Sequence, residues 1–302
     1  MSGFYDDFRD AFAKPNNGLV QLILINVVVF LCLIILQVVL TLSGNKGIYD
    51  LILTQLTVPA FLPNLAFKPW TLLTYFFTHE NPLHILFNML FLYWFGGLVQ
   101  EYLGSRRLVN LYLLGGLVGG ITYIVLYNVI PYFGKDLATS WMLGASGAVF
   151  AVVFGAATLL PNYKFVLLFF GPIRIVYIAF FYLVLSWVQL VGPNAGGNMA
   201  HVSGAIVGFL YIRFLRKGID LGTPIDVVTN FFRRLFMPPP RRSSMRVTYR
   251  SQSKATYSYT NADGEFPDEE EVDAILDKIS KSGYESLTRE EKQKLFKASQ
   301  KK

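Results

Sequence analysis

Between Leu19 and Thr41 the chain runs through Leu, Ile, Val and Phe without one charged side chain. A helix needs about 20 such residues to cross a hydrocarbon core of roughly 30 Å. Comparable stretches recur, and their spacing predicts spans at 19–41, 83–103, 108–130, 142–160, 174–191 and 199–216. They are read as helices because an open sheet cannot satisfy its edge groups in lipid. Composition agrees, since 53% apolar and 16% charged residues with a mean hydropathy of +0.42 lie far from an average soluble domain. The fold class expected is all-α: a polytopic bundle of six transmembrane helices in the lipid bilayer, plus a small soluble helical tail.

An even number of spans puts both termini on one side. Basic residues gather at the end of the last span and beyond it, at Arg213, Arg216, Lys217, Arg233, Arg234, Arg241 and Arg242. Arg106, Arg107, Lys164 and Arg174 mark two more loops on that side, whereas the opposite loops hold only Lys46, Lys68 and Lys135. By the positive-inside rule both termini are cytoplasmic in a multi-pass protein of the cell membrane. The net charge of +7 is thereby read as orientation and contact with anionic lipid rather than as a nucleic-acid surface. Asp6, Asp7 and Asp10 precede the first span where a secretory signal would be basic, so that span is expected to be retained. Cys32, the single cysteine, excludes an internal disulfide and a cysteine-based metal site.

Four segments follow. Residues 1–18 form a cytoplasmic N-terminal segment, 19–217 the six-helix domain, 218–262 a juxtamembrane amphipathic segment with a flexible linker, and 263–302 a small cytoplasmic helical hairpin. The long first outer loop, 43–82, carries Leu51, Phe61, Leu62, Phe67, Trp70 and Phe76, which suits the membrane interface. Val228, Phe231, Phe232, Leu235 and Phe236 recur at helical spacing beside Arg233 and Arg234, an amphipathic helix for the inner surface that Pro238, Pro239 and Pro240 end. Arg241 to Asn261 is polar and without apolar period. In the hairpin, Val272, Ile275, Leu276 and Ile279 make one face and Gly283 ends the helix; Thr288 with Glu291 opens another as a capping box.

Groups able to transfer protons are costly at membrane depth, so they mark function. The three histidines, His79, His84 and His201, fall at the same side of the predicted bundle. Asn88 follows His84 by one helical turn. Ser146 sits in Gly144-Ala145-Ser146-Gly147, whose small residues leave the hydroxyl unshielded. A lone serine of this kind usually serves helix packing. His201 changes that, because it lies in Ala200-His201-Val-Ser-Gly204-Ala-Ile-Val-Gly208, and the Gly204/Gly208 face lets the sixth helix approach the fourth with His201 at the height of Ser146. Serine activated by a neutral imidazole is the minimum set for nucleophilic catalysis. With no acidic residue nearby, a dyad is expected, its imidazole oriented by packing. Free N–H groups at the helix start, with side-chain donors from His84 and Asn88, suit a developing oxyanion.

These residues resemble the rhomboid family of intramembrane serine proteases. The resemblance rests on His79-Glu-Asn-Pro-Leu-His84-Ile-Leu-Phe-Asn88, Gly144-Ala-Ser146-Gly147 and the His201 to Gly208 segment, in the family's order and on the second, fourth and sixth spans. It covers about 19–216. It implies a six-helix core with Ser146 as nucleophile, His201 as base, and His84, Asn88 and the N–H groups of Ala145 and Ser146 as oxyanion donors. It implies cleavage of transmembrane protein substrates through an acyl-enzyme, with no metal or cofactor and with the site open to the outer side. The fifth helix and the loop Val191 to Met199 would cover the site, and Gly192, Gly196 and Gly197 would let that loop move. Thr71 after Trp70 and Gln100 before Gly104 depart from the family's arginine and glutamate. His79 matches a family histidine but is not assigned to catalysis.

The alternative is an inactive rhomboid-like protein that binds membrane clients without cutting them; such a chain would be expected to lack the serine or the histidine, and both are here. A channel or transporter would line its path with charged residues, which the spans lack apart from Arg213 and charges at span ends. The tail is a docking or regulatory module whose partner its sequence does not name.

Overall fold

The computed structural model describes residues 16–167, 170–192, 194–236 and 268–299. The acidic N-terminal residues, the prolines at 238–240 and the polar linker fall outside them. The chain divides into two compact units, Met1–Pro239 and Pro240–Lys302.

The first unit is a helical bundle. Its principal helices are α1 (Gly18–Leu42), α5 (Pro82–Leu103), α6 (Ser105–Val129), α7 (Ser146–Leu159), α8 (Ile175–Val188) and α9 (Ala195–Leu215), six elements where six spans are expected. Between α1 and α5 come α2 (Lys46–Thr54), β1 (Val58–Pro59), α3 (Leu62–Phe67) and α4 (Thr71–Thr74). α1, α5, α6 and α9 are long and apolar enough to cross a membrane. The chain is a multi-pass membrane protein.

α7 occupies the middle, and small residues explain how. Its Gly147, Ala148, Ala151, Gly155, Ala156 and Ala157 are all buried. Against it α9 presents Gly204 and Gly208. A Cβ on Gly204 would run into the carbonyl oxygen of Gly147, and one on Gly208 into that of Ala151. Backbone thus meets backbone, as small-residue interfaces permit. α1 is peripheral, with Val28, Leu31, Ile35 and Val39 exposed. Its buried Asn26 donates to the Tyr112 hydroxyl at 3.0 Å, pairing the one polar group that this face brings inward.

α7 is also short. Its 14 residues rise about 21 Å, less than the roughly 30 Å hydrocarbon thickness. The fourth span was expected from 142, but Trp141 and Met142 form β2, antiparallel to β1 with Val58 opposite Met142 and Pro59 opposite Trp141. Gly144 N–H donates to Tyr75 O at 2.9 Å. The loop between α1 and α5 therefore holds the lead-in to Ser146. That loop is itself anchored: Tyr75 donates to Gly116 O at 2.6 Å, Tyr112 to Phe76 O at 3.0 Å, and Trp70 Nε1 to Gln55 O at 2.9 Å. Thr71, in place of the family's arginine, closes a local bond to Lys68 O at 2.7 Å. Gln100 Oε1 accepts from Leu19 N–H and from the Ser105 hydroxyl at 2.9 and 2.8 Å, so the amide caps the start of α1 as a carboxylate would.

The sixth span begins at Ala195, not near 199. Gly196 and Gly197, expected in a mobile loop, are instead helical and buried, Gly196 against Tyr123 and Gly197 against Asn194. His201 therefore lies almost two turns inside its helix.

The opposite end of the bundle carries most of the basic residues described. Arg106 pairs with Asp226 at 3.0 Å and Arg107 with Asp220 at 3.2 Å, joining the start of α6 to the turn after α9 and to α10 (Thr223–Phe236). Arg216 donates to Thr158 O at 2.8 Å at the end of α7. Lys164 and Arg174 face each other across the hairpin of β3 (Lys164–Leu167) and β4 (Gly171–Arg174). On α10, Val228 and Phe231 are exposed.

In the second unit α11 (Glu269–Ser282) and α12 (Arg289–Ser299) form a hairpin. Gly283, at φ 77°, stops α11. Ile275 and Leu287 are buried, while Leu276 and Phe296 are exposed. The capping box closes, with Thr288 N–H donating to Glu291 at 2.6 Å and Glu291 N–H to the Thr288 hydroxyl at 3.3 Å. Lys278 to Glu291 and Lys294 to Glu271, each 2.7 Å, tie the helices together.

Candidate active site

A cavity of about 450 Å³ opens between α5, α7, α8 and α9. Ser146, His201, His84 and Asn88 all line it, together with apolar residues that include Phe87, Phe91, Val149 and Leu185.

Ser146 begins α7. The next residue, Gly147, packs on Ala200, its Cβ position 3.3 Å from Ala200 O and 3.4 Å from Ala200 Cβ. Ser146 and His201 are thus the immediate neighbours of a contacting pair. The imidazole of His201 lies flat on the Phe150 ring, with centroids 4.3 Å apart and planes 7° apart. Phe150 follows Ser146 by one turn on the same face, so the imidazole rests beside the nucleophile's helix. Its Nδ1 is 3.0 Å from Ser186 Oγ on α8. Nε2 is the nitrogen left for Ser146. The expected bond between the two is not closed, since Ser146 Oγ is without a hydrogen bond among the described residues. Catalytic bonds of this kind commonly tighten only when substrate is in place.

The oxyanion donors are arranged differently from expectation. Ala145 N–H donates to His79 Nε2 at 3.2 Å. Because a backbone N–H can only donate, Nε2 of His79 is an acceptor. Asn88 Nδ2 is 3.3 Å from the same nitrogen and donates to His84 O at 3.0 Å. Ala145 and both amide hydrogens of Asn88 are therefore engaged rather than open. Ser146 N–H, at the helix start, is the donor that no earlier turn can use. His84 sits against Gly144, where a Cβ would lie 2.5 Å from His84 Cε1 and where φ is +112°. Only glycine serves this position, by backbone angle and by space alike.

His79, not assigned to catalysis from sequence, is the buried acceptor on which Ala145 and Asn88 converge. Burial first, and then the neighbouring His84, lower its imidazole to about 3, which keeps it neutral and accepting at physiological pH. Phe150 and Ser186 carried no motif. The one available signal was that each stands one helical turn from a residue already of interest or in reach of a neighbouring span.

Residues 66–218 match the family model described as Rhomboid domain, and residues 266–301 match one described as Family of unknown function (DUF6576). Among curated proteins the chain is similar to Rhomboid protease GlpG of Salmonella paratyphi A, 28% identical over 181 residues that cover 60% of this chain and 59% of that protein. It is similar also to the proteins of that name from Salmonella typhi and Salmonella newport, each 27% identical over the same lengths. The chain thus spans 59% of the length of these relatives.

Proposed function

The chain belongs to the rhomboid family, and from that premise we propose that it is an intramembrane serine endopeptidase that hydrolyses transmembrane protein substrates with Ser146 and His201. The observation that carries this reading is the backbone contact of Gly147 with Ala200, which sets the two side chains on one apolar cavity. Proteases of this name among the relatives point the same way.

In this reading an unwound segment of a client helix enters the cavity, and Ser146 Oγ attacks the scissile carbonyl carbon. His201 Nε2 takes the hydroxyl proton as the new C–O bond forms. The carbonyl oxygen becomes an oxyanion, stabilised by Ser146 N–H and His84, and by Asn88 once one amide hydrogen turns from His79. The intermediate collapses, the C–N bond breaks, and His201 gives the proton to the departing amine. Water, deprotonated by the same nitrogen, then attacks the acyl-enzyme ester, and the proton returns to Ser146. The apolar lining suits client side chains. In this reading the short α7 leaves the chemistry below the membrane surface, nearer the end of the bundle opposite Arg106, Arg107, Lys164 and Arg174. By the positive-inside rule that end is the outer side and both termini are cytoplasmic. The four-segment organisation, with a cytoplasmic tail, belongs to the same proposal.

The test is cleavage of a single-span model substrate by the purified full chain in nanodiscs. Native protein is expected to cleave and to react with a fluorophosphonate, and Ser146→Ala and His201→Ala to do neither. A folded native chain inert to substrate and probe would instead favour a client-binding rhomboid-like protein.

A further inference from the structure

Ser186 is buried in α8, with 5% of its surface exposed, and no motif claims it. Its hydroxyl oxygen stands 3.0 Å from Tyr182 O and 3.0 Å from His201 Nδ1. A serine hydroxyl has one hydrogen and two lone pairs, and a carbonyl oxygen has no hydrogen to give. The hydroxyl hydrogen therefore goes to Tyr182 O. What Ser186 turns toward His201 is a lone pair, and Nδ1 must supply the hydrogen. The opposite tautomer would set the hydroxyl hydrogen on Nδ1 and leave two oxygen lone pairs facing each other at 3.0 Å.

From this geometry we infer that Ser186 is a positioning residue that holds His201 as the Nδ1–H tautomer, with Nε2 bare and directed to Ser146. The inference rests on the proposed function only for its catalytic consequence. Phe150 fixes the plane of the imidazole, and Ser186 fixes which of its edges faces α8. A half-turn of the ring would bring a carbon to Ser186 and break the bond. The contact also survives the reaction, because the imidazolium keeps Nδ1–H while Nε2 holds the transferred proton. A carboxylate would orient the ring as well, but it would bury a full charge among apolar helices. A hydroxyl already satisfied by its own helix does so without charge. The expectation that packing alone orients the imidazole is therefore incomplete.

The tautomer can be read without turnover. Full-length protein labelled with 15N-histidine, in nanodiscs, gives long-range 1H–15N correlations for three imidazoles, and loss of one set in His201→Gln assigns His201. The expected native pattern is Nδ1–H with Nε2 unprotonated. Ser186→Ala should move it to a mixture or to Nε2–H, and Ser186→Thr should restore it. With the model substrate, Ser186→Ala should lower kcat about tenfold with KM little changed, and the threonine variant should recover most of it. A native Nε2–H pattern, or a His201 pattern indifferent to Ser186→Ala, overturns the inference; so does unchanged kcat in Ser186→Ala when cleavage depends on Ser146. The native spectrum decides the matter even if Ser186→Ala does not fold. If the tautomer behaves as expected and the native chain cleaves nothing, the protease reading falls and the positioning inference stands.

Discussion

The His201 imidazole and the Phe150 ring lie parallel, 4.3 Å between centroids. A flat ring on a flat ring limits rotation about the histidine side chain without supplying any polar group. Such a contact contributes about 0.5–1.5 kcal/mol beyond the area it buries. Phe150→Ala should therefore lower kcat by roughly 2- to 10-fold while KM changes little, and Phe150→Tyr, which keeps the face, should remain close to native. Steady-state cleavage of the single-span substrate measures both. Equal activity in Phe150→Ala would mean that the stack does not orient the base.

The approach of α9 to α7 makes a sharper demand. Gly204 has no room for a methyl, because the carbonyl oxygen of Gly147 fills the space. Backbone cannot give way as a side-chain tip can. Gly204→Ala should cost about 1–3 kcal/mol of stability and more than tenfold in activity, since any separation of the helices parts Ser146 from His201. Gly97 is the control, for its nearest atom is Leu19 Cδ2 at 4.0 Å. Gly97→Ala should be neutral or mildly stabilising. Thermal unfolding in detergent together with cleavage rates distinguishes the two; similar behaviour in both variants would contradict the packing argument.

The helical plan of the bundle and the gathering of Ser146 and His201 on one cavity were legible because they follow from local rules: lipid demands unbroken apolar helices, and glycines at four-residue spacing announce close approach. What escaped the sequence depends on distant partners. The start of α7 moved from 142 to 146 because Trp141 and Met142 pair with Val58 and Pro59, a two-residue ladder without local signature. Gly196 and Gly197 read as hinge residues, yet Tyr123 and Asn194 pack on them as helix. Ser186 carries no motif, and its bond one turn back to Tyr182 O is ordinary for a helical serine. Its second bond reaches a different helix. His79 could be recognised as unusual, but its work as an acceptor requires Ala145 to be folded against it.

Phe91 on α5 meets Tyr182 on α8 edge to face at 4.6 Å, beside the cavity that holds Ser146. If client helices enter between α5 and α8, this contact must part before cleavage. Phe91→Ala removes an interaction of about 0.5–1.5 kcal/mol and should raise turnover by up to roughly tenfold where entry limits the rate. Labelling by a small fluorophosphonate, which needs no such opening, should change less. A cross-link between cysteines placed at 91 and 182 should abolish cleavage reversibly. Undiminished cleavage by the cross-linked protein would exclude entry at this seam.

Glu291 offers a titration in the tail. Lys278 donates to it at 2.7 and 3.0 Å and Thr288 N–H at 2.6 Å, all favouring the charged carboxylate. The Lys278 bonds first, then those from Thr288, hold its pKa at about 2, against 4.5 for the free side chain. The unfolded hairpin therefore binds this proton more readily than the folded one. The stabilisation is fully present above about pH 4.5 and is lost as pH falls toward 2. In the full chain, 13C-detected titration of Glu291 should give a midpoint near 2. Glu291→Gln should make the hairpin's helicity less dependent on pH in that window and speed amide exchange of Thr288, whose N–H loses its charged acceptor. A midpoint at the ordinary carboxylate value would mean that neither the capping box nor the Lys278 pair forms in solution.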